Sequence, residues 1–251
     1  MSERTAGSVP PPSERVRVRR KPDRGHYDRA TIDAILDASI VGSVGYVIEG
    51  QPYVIPTAIW RTGDRLFWHG SSASRMLRRT KGGVPVCVSV FHLDALVLAR
   101  SGFNHSIDYR SVMLLGHAYE VEDGEEKRGA LRAFVEHLYP GRWDDLRPPT
   151  GQELKATTVL WMEIAEASAK VRDVGAHDEP GDETWPTWAG SIPVAMTFGA
   201  PVPDPFVPPG LEAPLVGPAV GGPARLPASR LAASRPAVPR LPDSRLPEED
   251  W

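Results

Sequence analysis

A succession of short β-type runs separated by tight turns restricts most strongly how this chain can fold. The runs alternate in polarity or are rich in β-branched residues, and most are joined by turns containing Gly, Pro or Asp. The predicted strands are 43–48, 53–60, 65–69, 84–91 followed by 95–99, 109–121, 157–164 and 168–174. The chain lacks the regular strand–helix alternation of a parallel sheet. We therefore predict a mainly β protein: a closed or split antiparallel barrel of six to seven strands with flanking helices.

Three helices are predicted around these strands. Asp28 is a good N-cap for a first helix whose apolar residues recur at helical spacing up to Ile40. A short second helix over 73–81 is ended by two glycines. Asp123, with a glutamate three residues later, forms a capping-box-like start for a third helix.

Proline divides the chain into regions. About half of the 26 prolines follow Ala200, in a segment of irregular Pro, Ala, Arg, Leu and Gly repeats that cannot bury enough apolar surface to fold. We predict a disordered tail over 201–251, with a Pro-rich docking ligand as the alternative. Residues 25–200 form the predicted barrel domain. Residues 1–24 are predicted to be a flexible basic arm.

Composition excludes several classes of protein. The 29 Lys and Arg residues against 32 Asp and Glu give a net charge of −3, which argues against a protein that coats nucleic acid. No apolar run is long enough for a membrane-spanning helix, and the N-terminus lacks the apolar core of a signal peptide. We therefore expect a cytoplasmic location. One cysteine and seven histidines without metal-ligand spacing predict no metal site.

The segment FWHGSSASRM, residues 67–76, carries the clearest chemical signal. A predicted strand ends in His69 and Gly70, passes through serines and enters a helix with Arg75 in its first turn. Hydroxyl groups, free backbone N–H groups and a guanidinium at a helix start form a receptive site for a phosphate. The alternative is an ordinary serine-capped helix with a surface arginine.

A second polar segment, NHSIDYRSV, runs into the longest predicted strand. Arg110 and Ser111 at the mouth of that strand could hold a phosphate or a ring carbonyl. The alternative is an arginine paired with Asp108 or another carboxylate. The sequence contains no HExxH motif, Walker loop or GxSxG elbow, so these segments carry the candidate chemistry.

The order of the segments GSVGYV, PYVIPT, LFWHGSSASRM, VPVCVSV, YRSVMLLGHA and TWAGSIP resembles the pyridoxamine 5′-phosphate oxidase-like superfamily of FMN-binding split barrels. Within it, the chain is most similar to the flavin-nucleotide-binding branch that includes the nitroimidazole-resistance (Nim) flavoproteins. The resemblance covers about 22–194 and includes neither end of the chain. It implies a homodimer with FMN in clefts between the subunits.

The resemblance also implies roles for individual residues. Ile55, Pro56 and Thr57 would follow the edge of the flavin ring, and His69, Gly70 and Ser71 would lie beside the ring and the ribityl chain. The phosphate would be received by Ser74, Arg75 and Met76, assisted by Arg110 and Ser111. Met76 stands where family members often have a second cation. By the same resemblance His69 is the one candidate catalytic side chain.

These observations predict an FMN-dependent oxidoreductase. Electrons would pass from a nicotinamide donor through FMN to a small nitroaromatic or quinone-like acceptor, because the flavin rather than a side chain carries such chemistry. The alternative from a different class is a non-catalytic split barrel that binds a flavin, a deazaflavin or haem. The residues alone leave both open.

Overall fold

A computed structural model describes residues 9–213 of the chain, and these contain nine β-strands and four α-helices. The strands are β1 (Gly25–His26), β2 (Val41–Ile48), β3 (Gln51–Thr62), β4 (Arg65–Ser71), β5 (Gly82–Leu98), β6 (Ser106–Glu120), β7 (Thr157–Glu163), β8 (Glu166–Arg172) and β9 (Gly190–Pro193). The helices are α1 (Arg29–Asp37), α2 (Arg75–Thr80), α3 (Gly124–Leu138) and α4 (Gly151–Ala156).

Strand β6 closes the sheet into a barrel. One of its edges pairs antiparallel with β5 along nearly its whole length, while the other pairs first with β8 and then, at its last residues, with β7. The ring runs β6, β7, β4, β3, β2, β5 and back to β6, and β8, β1 and β9 extend it. The predicted antiparallel split barrel is therefore confirmed, with the two short strands β1 and β9 in addition.

One predicted break in the sheet is wrong. The runs 84–91 and 95–99 were expected as consecutive strands, but β5 continues from Gly82 to Leu98. A shift of register between Leu93 and Ala95 marks a bulge, which inserts an extra residue without ending the strand. The polar residue Asp94 falls at this bulge. It interrupts the apolar pattern of the sequence, but the strand continues through it.

The barrel interior is filled by apolar side chains from every strand of the ring and from α1. Ile32, Ile35 and Leu36 project from α1 onto the core, and each is at most 1% exposed. Asp28 caps this helix by accepting a hydrogen bond from the Thr31 N–H at 2.8 Å, as predicted. Each such buried side chain contributes about 1.5–3 kcal/mol, so α1 seals the core.

Helix α3 covers a second apolar cluster on the outside of the barrel. Trp60, Phe67 and Val159 of the sheet pack beneath Ala130 of this helix. The Asp123 carboxylate caps α3 by accepting from the N–H groups of Glu125 and Glu126 at 2.9 and 2.8 Å. This second layer is what buries the outer face of β4.

The arm that was predicted to be flexible is packed against the sheet where the structure describes it, from residue 9 onward. Val16 is 1% exposed, Arg15 pairs with Glu166 of β8, and the Val18 N–H donates to the Tyr27 hydroxyl at 2.8 Å. Burial of Val16 offsets the conformational entropy lost when the arm becomes ordered. Because Val16 lies within a run of basic residues, the sequence pattern gives little sign of this anchor. Residues 201–213 form neither helix nor strand. The rest of the predicted tail, 214–251, and residues 1–8 lie outside the described residues.

No helix in the range 9–213 has the length and apolar character that crossing a membrane requires.

Asp108 of β6 and Arg172 of β8 form an ion pair in which both side chains are more than nine-tenths buried. We expect Arg172→Met to lower the free energy of unfolding by about 3–5 kcal/mol, because it leaves the Asp108 carboxylate buried without its partner. Urea denaturation measures the change. The matched control is Arg147→Met, since Arg147 and Glu153 form an exposed pair, and its unfolding midpoint should stay unchanged. Equal loss in both variants would contradict the assignment.

Candidate functional site

The barrel is split where β3 and β4 separate. Along 51–58, β3 pairs with β2, but it pairs with β4 only over Ile59–Thr62. Strand β4 pairs with β7 on its other edge over its whole length and continues to Ser71 without β3 beside it. The other edge of β3 over 51–58 therefore has no strand partner in the described part of the chain. Alternate backbone N–H and C=O groups along such an edge are free to bind a ligand.

Ile55, Pro56 and Thr57, predicted to follow a flavin ring, all lie on this free stretch of β3. Ile55 and Thr57 share a face with the fully buried Ile59, so their side chains point to the inner side of the sheet. Pro56 points to the outer side. Their backbone lies at a free strand edge, and that it follows the edge of a flavin ring stays a prediction.

The turn between β4 and α2 faces the same end of the barrel. The Ser74 N–H donates to the Ser71 carbonyl at 2.8 Å, and the Ser71 hydroxyl accepts from the Ala73 N–H at 3.2 Å. Ser74 is the N-cap of α2, but its side chain forms no capping hydrogen bond, so its hydroxyl is available. Because α2 has only six residues, the phosphate affinity predicted for its N-terminus must come from side chains rather than from a helix dipole.

Arg75 supplies that charge. Its guanidinium lies over the ring of Tyr53, 4.6 Å from the ring centre, and no carboxylate lies within 4 Å of it among residues 9–213. Arg79 stands beside it, loosely paired with Glu49 at 3.9 Å. Both arginines line a pocket of about 420 Å³, called here the Arg75 pocket. Its other lining residues are Ile48, Glu49, Gln51 and Tyr53. An arginine with no carboxylate partner beside an open pocket favours an anionic ligand.

Two residues of the predicted phosphate turn serve packing instead. The Met76 side chain is 7% exposed and belongs to the barrel core, so it cannot receive a phosphate. A Cβ at Gly70 would lie 3.1 Å from Cδ1 of Leu77. The glycine therefore lets α2 pack closely onto β4. The Met76 side chain packs in the core beside that of Leu77, so the predicted contact of Met76 with a phosphate could be made only by its backbone.

His69 points away from the barrel interior. Its ring packs between Trp60 and Phe134, with ring centres 5.6 and 4.6 Å away, beneath α3. Burial lowers the pKa of His69, and its Nδ1 atom is buried without a hydrogen-bond partner in the described residues. The imidazole is therefore neutral near pH 7. Such a group can accept a hydrogen bond or ligate a metal, but it is a poor proton donor.

Arg110 does not join the Arg75 pocket within one chain. Its guanidinium forms a two-pronged ion pair with Asp94, with Nε–Oδ2 and Nη2–Oδ1 distances of 2.9 and 2.8 Å. Arg110 lies opposite His92 on β5. His92 is ten residues, or roughly 30 Å, along the strand from Gly82, where β5 begins just after α2. The predicted role of Arg110 as a phosphate ligand is therefore not supported within a protomer. The alternative of an arginine held by a carboxylate is correct, with Asp94 rather than Asp108.

Ser111 points to the opposite face of β6 from Arg110. Its hydroxyl donates to the Lys170 carbonyl at 3.3 Å. It also lines a different pocket, between the N-terminal arm and the sheet. The structure therefore separates Ser111 from Ser74 and Arg75, with which it had been grouped.

Sequence reasoning named Arg79 as a cation that could compensate for Met76, but it missed Tyr53, which lines the Arg75 pocket, and Phe134, which covers His69. The period of two in a strand places Tyr53 on the face of Ile55 and Thr57, so this contact could have been found. The contact with Phe134 depends on how α3 lies across the sheet, and the local sequence pattern does not indicate the position of a helix relative to a sheet.

Comparison with known families and structures agrees with this geometry. The model of the family described as "Pyridoxamine 5′-phosphate oxidase" matches residues 28–171. The flavocytochrome Anf3 from Azotobacter vinelandii is 44% identical, with a TM-score of 0.77, over 81% of this chain and 95% of that one. The FAD and heme binding protein from Mycobacterium smegmatis is 36% identical, with a TM-score of 0.73, over 76% and 94%.

A third similar structure is described as a 5-nitroimidazole antibiotic resistance protein from Bacteroides thetaiotaomicron. It is 25% identical, with a TM-score of 0.50, over 61% of this chain and 90% of that one. Comparison with curated proteins finds no match.

The burial of His69 predicts a pH dependence of stability. Its pKa is lowered in the folded state, so the unfolded chain takes up a proton more readily. The contribution is complete above the unfolded pKa of about 6.5 and is lost as the pH falls below it toward the folded pKa. We expect His69→Phe to lose less stability than the parent protein between about pH 7.5 and 5.

Urea midpoints at the two pH values measure the difference, and His105→Phe, which changes an exposed histidine, is the control. An unaltered pH dependence in His69→Phe would show that the imidazole is not held neutral.

Proposed function

Because the chain belongs to the pyridoxamine 5′-phosphate oxidase family, we propose that it is a flavoprotein and that the opening between β3 and β4 binds a flavin nucleotide. The Arg75 pocket carries the proposal, because it joins an arginine without a carboxylate partner to a free strand edge. Two similar structures are described as a flavocytochrome and as an FAD and heme binding protein, which supports the same ligand class. FMN is the specific ligand we propose, and FAD contains the same riboflavin phosphate portion.

The residues at the opening fit the parts of such a ligand. Arg75, with Arg79 and the free Ser74 hydroxyl, would hold the phosphate. The backbone of 55–57 would hydrogen-bond the polar edge of the ring system, and Tyr53 offers an apolar surface beside it. A flavin, once bound, supplies hydride or electron transfer, which no side chain can supply.

We propose an oxidoreductase function for this site: electrons enter from a nicotinamide donor and leave to a nitroaromatic or quinone-like acceptor. The protein's part is to bind, to orient and to exclude water. His69, at the end of β4 before the turn, is neutral and has no carboxylate partner within residues 9–213, so it does not form an acid–base pair there. A flavin held without turnover is the alternative.

A second candidate is a protein that holds haem together with flavin. The two relatives named for both groups favour it. In this chain a haem ligand is available, because His69 is neutral, half-buried among Trp60 and Phe134, and forms no hydrogen bond within residues 9–213. A neutral imidazole in an apolar setting is the usual axial ligand of haem iron. His69 would then bind iron rather than act on a substrate.

We also propose that the protein is a homodimer formed through the outer face of the barrel. Four large apolar side chains are exposed there, each by more than half: Val41, Val47, Val54 and Phe91. Contiguous exposed apolar surface marks an interface. Val54 neighbours Ile55 on β3, so a partner subunit on the outer face would flank the opening and shield a bound ring from water.

Arg75→Ala tests the flavin site. We expect the purified parent protein to be yellow and the variant to bind FMN about 10- to 100-fold more weakly, because a charged hydrogen-bond partner of the phosphate is lost. Absorbance spectra, mass spectrometry of the released ligand and FMN titration measure this. Arg78→Ala removes a cation of the same helix that does not line the pocket, and it should bind FMN like the parent.

A colourless parent protein that ignores added FMN and FAD would overturn the proposal. A Soret band beside the flavin bands, lost in His69→Ala, would establish the haem candidate. Bleaching of the flavin by NADH or NADPH without air supports the oxidoreductase. A flavin that neither nucleotide reduces leaves binding as the function.

Val54→Arg tests the homodimer. Two copies of the new charge would be buried in the interface, so the dimer dissociation constant should rise on the order of 100-fold or more. Light scattering should then give the mass of a single chain instead of the mass of a dimer. Val174→Arg is the matched control, because Val174 is 64% exposed against 65% for Val54 but lies beyond β8. A monomeric parent protein with flavin bound would contradict the homodimer.

A further inference from the structure

The N-terminal arm and the outer face of the sheet enclose a second pocket, of about 280 Å³, called here the arm pocket. Residues 16–20 form its wall. Its floor comes from three adjacent strands, each of which contributes a serine: Ser89 of β5, Ser111 of β6 and Ser168 of β8. The Ser111 hydroxyl donates to the Lys170 carbonyl, and the hydroxyls of Ser89 and Ser168 can donate hydrogen bonds to a ligand.

Positive charge surrounds these hydroxyls. Arg17, Arg19 and Arg20 line the wall and Lys170 lines the floor, whereas no carboxylate lines the pocket. Glu14 holds Arg17 at 2.9 Å and lies 3.8 Å from Arg19. Within the described residues, neither Arg20 nor Lys170 has a carboxylate within 4 Å, so the pocket keeps an excess of positive charge.

The wall is held in place before any ligand arrives. Val16 is buried against the sheet, the Val18 N–H donates to the Tyr27 hydroxyl, and Arg15 pairs with Glu166 of β8. These contacts lie immediately before and within the cationic run. A preformed cluster of cations costs less ordering entropy on binding than a free basic arm.

This pocket is separate from the Arg75 pocket. Its floor residue Ser89 pairs with Ser43 of β2, five residues from Ile48 of the Arg75 pocket, or roughly 17 Å along the strand. One phosphate cannot reach both places in a single protomer. The arm pocket therefore needs a ligand, or a part of a ligand, of its own.

We propose that the arm pocket binds the adenosine diphosphate portion of a small dinucleotide. Guanidinium, ammonium and hydroxyl donors together are the chemistry that recognises phosphate oxygens. Val18 and Met113, both partly exposed, add apolar surface for the nucleoside. The pocket is too small for a polymer, and the chain carries a net charge of −3, so the cations act locally. The proposal does not depend on flavin binding at the Arg75 pocket.

ADP is the probe, titrated calorimetrically into the full chain as purified. We expect saturable binding of one ADP per chain, weakened by salt and by about tenfold or more in Arg20→Gln and in Lys170→Met. Lys21→Gln changes the neighbouring cation, which does not line the pocket, and it should bind like the parent. Far-UV circular dichroism confirms that the variants are folded.

Competition identifies the source of the diphosphate. Displacement of ADP by FAD but not by FMN indicates the flavin, and displacement by NADPH indicates the electron donor. Absence of saturable ADP binding, equal weakening in Lys21→Gln, or tighter binding of a single-stranded oligonucleotide would overturn the proposal. A colourless protein that still binds ADP removes only the flavin proposal, and a yellow protein that releases FMN rather than FAD and ignores ADP removes only this one.

Discussion

The separation of β3 from β4 is the feature on which the candidate site depends. The last pair of residues that joins them is Ile59 and Trp68, and Trp60 follows on the opposite face. Trp60 and Trp68 are both fully buried, one beneath α3 and the other in the barrel core. Because both faces are packed at this point, the two strands are held together here and part immediately beyond it. Packing on the two sides of the sheet therefore sets the position of the opening.

The alternation of side chains along β3 connects this opening to the surface. Ile55 and Thr57 face inward, whereas Val54 and Pro56 face outward, where the apolar surface proposed as the subunit interface lies. One short strand thus presents free backbone groups at its edge and apolar side chains on its outer face. A change that alters the register of β3 by one residue would exchange these roles. The proposed ligand site and the proposed subunit interface therefore depend on the same register of β3.

Much of the fold could be predicted because its signals are local. The strand alternation, the Asp28 and Asp123 caps and the short turns each act within a few residues. In the candidate site, the turn pattern pointed to Ser74 and the family resemblance pointed to Ile55, and the ligand contacts of both stay predictions. The partner of Arg110 lies sixteen residues earlier at a bulge, and the arm is anchored by the buried Val16 together with contacts to Tyr27 and Glu166. Such contacts are set by tertiary packing, and no sequence period reports them.

The folded structure shows which cations have a carboxylate partner and which do not, and a count of charged residues cannot show this. Arg61, Arg100, Arg110 and Arg172 each lie against a carboxylate at short range, and such a pair offers an approaching anion little net attraction. Arg75, Arg20 and Lys170 have no such partner in the described part of the chain, and all three line pockets. A chain with slightly more acidic than basic residues can therefore present local positive charge in two pockets, because the cations that line them lack the close carboxylate partners that Arg61, Arg100, Arg110 and Arg172 have.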